Sequence, residues 1–251
     1  MTGLGAMLYR EARLRATNAT FIFWDVVYPL AYLLVFGVGM SSALGGDFGG
    51  MGARYSDFFL AGVLGMASFG IASNTAWSLF MDRDNGIFYE MLTYPLSRAA
   101  YLVGKVLFNG VIALVQALVT VSLAALLLDV DVRWAGLPLL IVAVASGTAG
   151  WFFFYAIFAL MIRRNDAFNT VTSIFYFAFL FASSMFYPVE PLPTAFRVAA
   201  SVNPITWQVD VLRYATIGLG SPAMIAVQAT LFVGFSAVCF GVAMRALLRQ
   251  E

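Results

Sequence analysis

Apolar residues fall along this chain in long blocks separated by brief polar punctuation, with none of the strict alternation that marks a half-buried strand. A helix needs about 20 apolar residues to cross a hydrocarbon core of about 30 Å. Blocks of that length run over 21–40, 58–81, 106–128, 137–162, 171–187 and 223–244, which predicts six transmembrane spans. A helix satisfies its own backbone in lipid, and the ~10-residue alternating segments of a membrane barrel are missing, so the fold class is all-α and polytopic. The spans form a single domain over 1–251. Residues 1–20 carry cations but no apolar run and no small-residue cleavage site, so they are not expected to be a removed leader.

Composition turns this pattern into a class. Of 251 residues 62% are hydrophobic and 11% charged, and the mean hydropathy of +0.88 exceeds what one soluble core of this size hides. The chain reads as an integral membrane protein. It has no histidine and one cysteine, Cys239, so an internal disulfide is impossible and no metal site is expected. A net charge of +1 gives no field for nucleic acid, and the placement of the cations matters more than their sum. With the start and end of the chain in the cytoplasm, ten of the 14 lie inside: Arg10, Arg13, Arg15, Arg83, Arg98, Lys105, Arg163, Arg164, Arg245 and Arg249. Arg54, Arg133, Arg197 and Arg213 are then external.

The connections differ in content. Residues 41–57 are glycine-rich and read as a mobile outer loop without chemistry, 129–136 as an outer turn and 163–170 as an inner one. Two longer segments carry more pattern. In "MDRDNGIFYEMLTYPLSRAAYLVGK", 81–105, Asn85-Gly86 is a turn signal, after which Ile87, Phe88, Met91 and Leu92 share a helical face and Glu90 another. Pro95 interrupts, and Ser97 is placed to cap a helix running through Arg98 and Lys105 into the third span. A short inner helix with apolar residues on offer suits docking into a partner's groove; lying on lipid headgroups is the alternative. In the outer segment 188–220, Pro188, Pro191 and Pro193 break the fifth helix, and Asn203-Pro204 reads as N-cap and first residue of a new one. Within it Asp210 and Arg213, three apart, can pair. Two short helices there would make a re-entrant hairpin; a loop on the surface is the other reading.

At these two segments the sequence resembles the type 2 permease subunits of ATP-binding-cassette exporters, the group that includes permeases for drugs, nodulation lipo-oligosaccharides and O-antigen polysaccharides. The matching residues are Asp82-Arg83, Gly86, Glu90, Leu92, Pro95-Leu96-Ser97-Arg98 and Gly104-Lys105 inside, and Phe186-Tyr187-Pro188, Leu192-Pro193, Asn203-Pro204 and Arg213 outside. The resemblance implies that 82–105 holds a coupling helix which receives an ATPase's movement, with Asp82, Arg83, Gly86, Phe88, Glu90, Met91, Leu92, Pro95, Ser97 and Arg98 as its contact set. It implies an interfacial helix over Leu4 to Ala16, whose three arginines suit anionic lipid. It also implies two permease copies, a homodimer being favoured, in a bacterial inner membrane. No G-x-x-x-x-G-K-[ST] occurs, so ATP and Mg are expected on a separate cytoplasmic ATPase subunit, and this chain is not expected to be an enzyme or to hold a cofactor.

An ion-coupled secondary transporter would need ionisable groups in the membrane interior. Of the six spans only the first holds one, Asp25, near its inner end where headgroups would hydrate it. An intramembrane protease fails for want of a histidine or a pair of buried aspartates. The cargo is expected to be lipid-like or a glycolipid, because spans two to six are uncharged; polysaccharide and hydrophobic drug are alternatives. The aromatic runs place Phe153, Tyr155, Phe175 and Phe179 as candidate path residues, with plain packing as the competing role. Topology is checked by cysteines in a Cys239→Ser background: in intact cells an impermeant maleimide should label Arg197→Cys and leave Arg164→Cys unlabelled, and the reverse result would invert the protein.

Overall fold

The computed structural model describes residues 3–18, 20, 23–44, 48, 52–91, 93, 94 and 96–249, the side chain of Trp24 excepted. Among them there is no strand; helices account for nearly all of the chain. Helix α1, Gly3–Thr17, is followed by a π-helical turn, Phe23–Val27, which leads into α2, Tyr28–Leu44. Helix α3, Tyr55–Asp84, begins where the Arg54 N–H donates to Asp57 Oδ2 at 3.0 Å and ends at Asn85-Gly86, the glycine holding φ +76°. A five-residue helix, α4, Ile87–Met91, follows. The expected cap is present: Ser97 Oγ accepts from the Ala100 N–H at 3.1 Å and opens α5, Arg98–Leu127. Then come α6, Leu137–Met161, and α7, Asn165–Phe181. The outer segment supplies α8, Thr194–Ser201, and α9, Pro204–Ile217, before α10, Pro222–Leu248. Asn203 does cap α9, accepting from the Ile205 N–H at 3.1 Å, and Gly218 in the left-handed region closes it.

Five of these elements are long and apolar enough to cross a membrane: Asp25–Leu44, α3, α5, Trp134–Met161 and α10. The protein is therefore multi-pass. The fifth expected span differs. Instead of 171–187 the helix occupies 165–181, 17 residues or about 26 Å, and is shorter than the other five. Residues 182–187 leave it as a folded turn in which Ser183, Ser184 and Met185 are buried.

Helix α3 is the centre of the bundle, packed by α2, α5, α6 and α9 and buried along most of its length. Its small residues make that possible, since packing between helices in lipid relies on close approach of backbones. A Cβ at Gly65 would stand 2.6 Å from Val209 Cγ2, and one at Gly62 would collide with the Met185 carbonyl. Helix α9 does not lie on the surface: Ile205, Val209 and Leu212 are fully buried, against α3, α6 and α10.

Candidate functional site

The end of the bundle that carries α1 and α4 is built around charges brought from three helices. On α1, Met7, Glu11 and Arg15 recur every four residues and form its buried stripe, with Arg10 beside it. Arg10 donates to both Asp82 oxygens at 3.1 and 2.5 Å. Lys105 Nζ sits 3.0 Å from Glu11 Oε1, from Asp82 Oδ2 and from Ser78 Oγ, and the Tyr101 hydroxyl donates to Asp82 at 2.5 Å. Lys105 is 0% exposed, so its ammonium depends wholly on these partners. Burial lowers the Arg10 guanidinium, but pairing with Asp82 outweighs this and holds it above its ordinary value. Gly104 lets α1 settle there, because a Cβ would come within 2.6 Å of Met7 Cγ. The five-residue α4 rests on the same ground, with Phe88 edge-on to Tyr101 at 5.2 Å between centroids.

A second contact ties α1 to the π turn. Arg15 pairs with Asp25 and donates to Asn109, while Asn74 donates to Asp25 at 2.9 Å. Asp25 is 3% exposed, so the expectation that headgroups hydrate it is corrected: its charge is met by Arg15 and Asn74 inside the bundle. Burial pushes the Arg15 guanidinium down to about 10, leaving it charged at neutral pH.

At the other end Arg213 and Asp210 do pair, at 2.6 Å. Asp210 also accepts from Ser184 Oγ at 2.8 Å and from Gln228 at 2.7 Å, while Arg213 donates to the Ser184 carbonyl at 2.7 Å and lies 3.8 Å from the Phe58 ring centroid. The pair thus fastens α9 to α3, α10 and the 182–187 turn. Asn203 donates to the Phe179 and Ala182 carbonyls at 2.8 and 2.6 Å, satisfying the end of α7 while capping α9. Pro188 lies in the connector, and Pro193 takes the N-cap position of α8.

Between the two ends lies an aromatic core. Tyr155 is fully buried, Phe179 packs on Trp151 at 5.4 Å, Phe175 stacks on Phe158 at 5.2 Å and Phe153 meets Phe240 at 4.9 Å. Each of the four candidate path residues therefore packs on at least one other ring, and Phe153, Phe175 and Phe179 remain partly exposed. The cleft is elsewhere. A cavity of about 380 Å³ opens between the start of α2, α3 and α7, lined by Tyr28, Gly70, Ser73, Asn74, Thr172 and Tyr176 among others. None of the four aromatic candidates borders it. The signal for it was the pairing of two small and polar stripes at helical spacing, 70, 73 and 74 with 172, 173 and 176.

A family model described as ABC-2 type transporter matches residues 2–217. The chain belongs to this family. It is 23% identical over 198 residues to the "Putative transport permease ycf38" of Cyanophora paradoxa, and 22% identical over 190 residues to the protein of the same name in Porphyra purpurea. Each match covers 75% of this chain and 65% of the relative, so the chain spans just under two thirds of the length of the curated relatives it matches.

Of the permease residues expected at a coupling surface, several are structural within the chain. Asp82 and Phe88 are buried, so Phe88 is corrected from a partner's anchor to a packing residue: Tyr101 covers its ring. Arg83 donates to the Ile162 carbonyl and lies 5.3 Å from the Phe80 centroid. Arg98 reaches the Leu247 and Leu248 carbonyls at the end of α10, at 3.4 and 3.1 Å. Gly86 and Glu90 are exposed and Met91 half-buried; Leu92 and Pro95 lie outside the described residues. The apolar groups actually on offer are Ile87, Tyr89 and Tyr94, at 36, 41 and 65% exposed. Removing one member of a buried charge set costs about 3 to 5 kcal/mol. Lys105→Met should therefore lower the thermal stability of the purified permease sharply, and adding Glu11→Gln should recover part of the loss. Additive losses in that cycle would show the two side chains to be uncoupled.

Proposed function

We propose that this permease is the membrane half of an exporter that moves a lipid-like or glycolipid substrate outward, driven by ATP hydrolysis on a separate cytoplasmic subunit. The observation that carries the reading is a short helix, α4, offering Ile87 and Tyr89, with Tyr94 exposed just after it, while the ring of its Phe88 stands on Tyr101 of the buried ionic cluster. A helix so braced transmits a push into α1, α3 and α5 instead of yielding locally. Family membership and the relatives' names as transport permeases support the class.

In this reading ten of the 14 cations, and with them both chain ends, face the cytoplasm of a bacterial inner membrane. Helix α7, though short, makes the sixth crossing, and α8 with α9 form a hairpin re-entering from outside. The described residues place the main polar groups of the spans in partnerships within the chain, Asn74 with Asp25, Gln116 with Thr120 and Gln228 with Asp210. A small ion finds little there. The cleft beside α7, with tyrosine, serine and asparagine on an apolar background, fits an amphiphile that keeps its tail toward lipid. Two copies, most simply identical, would close a path between them. Polysaccharide or hydrophobic drug carried by the same machinery is the second reading.

The test is a charge placed on the exposed face of the coupling segment. Tyr89→Asp with Tyr94→Asp should abolish co-purification of the ATPase, or leave ATP turnover running without export, while the permease still inserts; a few apolar anchors usually carry most of such an interface. Normal assembly and transport in that variant would remove the coupling role from this segment.

A further inference from the structure

Beyond the coupling segment, the inner ends of α3, α6 and α10 enclose a cavity of about 720 Å³ into which four arginines converge from elements distant in sequence: Arg83, Arg163, Arg245 and Arg249. Asp84 is the one carboxylate among its lining residues. Three cations at the same end are paired, Arg10 and Lys105 with Glu11 and Asp82, and Arg15 with Asp25. By contrast Arg163, Arg245 and Arg249 are exposed and enter no ion pair among the described residues. Four like charges with one counter-charge at the edge of a low-dielectric bundle repel one another unless an anion joins them.

The remaining lining identifies the anion. Leu160, Met161 and Val242 form an apolar wall on the last turns of α6 and α10, two helices apolar enough to span a membrane. A site with guanidinium groups at the level where spans end, and aliphatic surface leading into those spans, has the two-part chemistry of an anionic phospholipid. We propose that this cavity binds the phosphate of an anionic phospholipid of the inner leaflet. Tyr89 of α4 lines the same cavity, so an occupied site braces the coupling segment from its second side. Arg98 donates to the Leu247 and Leu248 carbonyls at the end of α10, the helix that carries Arg245. The level assigned to the leaflet rests on the orientation proposed above; the binding does not.

The experiment uses the purified full chain, without its ATPase, and counts phosphatidylglycerol retained by native mass spectrometry during titration from phosphatidylcholine micelles. Arg245→Gln with Arg249→Gln should weaken phosphatidylglycerol binding about tenfold to thirtyfold, and Arg163→Gln alone by several-fold. Arg197→Gln, at the opposite end, should not change it. Inorganic phosphate at matched concentration should compete weakly, because it lacks the acyl chains the wall would hold; full competition would make this a soluble-phosphate site and overturn the lipid assignment. Equal retention by all variants would overturn it as well. So would variants that keep the lipid but lose the ATPase on co-purification, since the cavity would then belong to a protein contact. Maleimide labelling of Arg163→Cys reads the orientation separately, so loss of that reading and loss of the lipid site are told apart.

Discussion

Lys105, wholly buried and held between Glu11 and Asp82, is the constraint on which the end of the bundle that carries α1 and α4 depends. An ammonium taken out of water is costly, and Coulomb attraction repays the cost only with close and complete partners. Those partners come from α1 and α3, so α5 cannot hold its lysine unless α1 lies across it. Gly104 and Met7 supply the fit, and Tyr101 joins the charge cluster to the underside of α4 through Phe88. Four elements that would otherwise be an interfacial helix, two spans and a loop are thereby one mechanical piece. The pair Arg10 and Asp82 closes it.

The outer end uses the same device with different parts. Arg213 and Asp210 bind α9 to α3 and α10, and Asn203 fixes the end of α7. Between the two ends the bundle is held by ring packing around Trp151, whose indole donates to Gln208 at 2.7 Å. Helix α7 stands apart from this economy: it touches few neighbours, and the polar cleft opens beside it. Its contacts are ring stacks such as Phe168 on Phe80 and Tyr176 on Phe69, and the Asn203 bonds at its end.

Class and element order were legible because they rest on local rules. Block length gave the spans, Ser97 and Asn203 gave two helix starts, and the three-residue spacing gave the Arg213 pair. What stayed hidden depends on tertiary neighbours. Glu11 and Lys105 are 94 residues apart, and nothing in their own surroundings shows that they meet. Phe88 shares a helical face with Met91, but which way that face turns is decided by Tyr101 on another helix. For the aromatic runs the sequence left lining and packing both open, because composition cannot separate a ring that meets a ligand from one that meets another ring. The fifth span was read six residues too far, since 182–187 is apolar enough to continue a helix yet is drawn aside by Asp210 and Arg213.

The central claim is that α1 and α4 move together when the transporter works. Spin labels at Leu14 in α1 and Glu90 in α4, both exposed, report it directly by pulsed electron-spin distance measurement in the chain reconstituted with the proposed ATPase partner. Between nucleotide-free and ATP-bound states the Leu14 to Glu90 distance distribution should stay unchanged, while that from Glu90 to Asn169, at the start of α7, should shift. A Leu14 to Glu90 distribution that moves or splits on ATP binding would contradict the account.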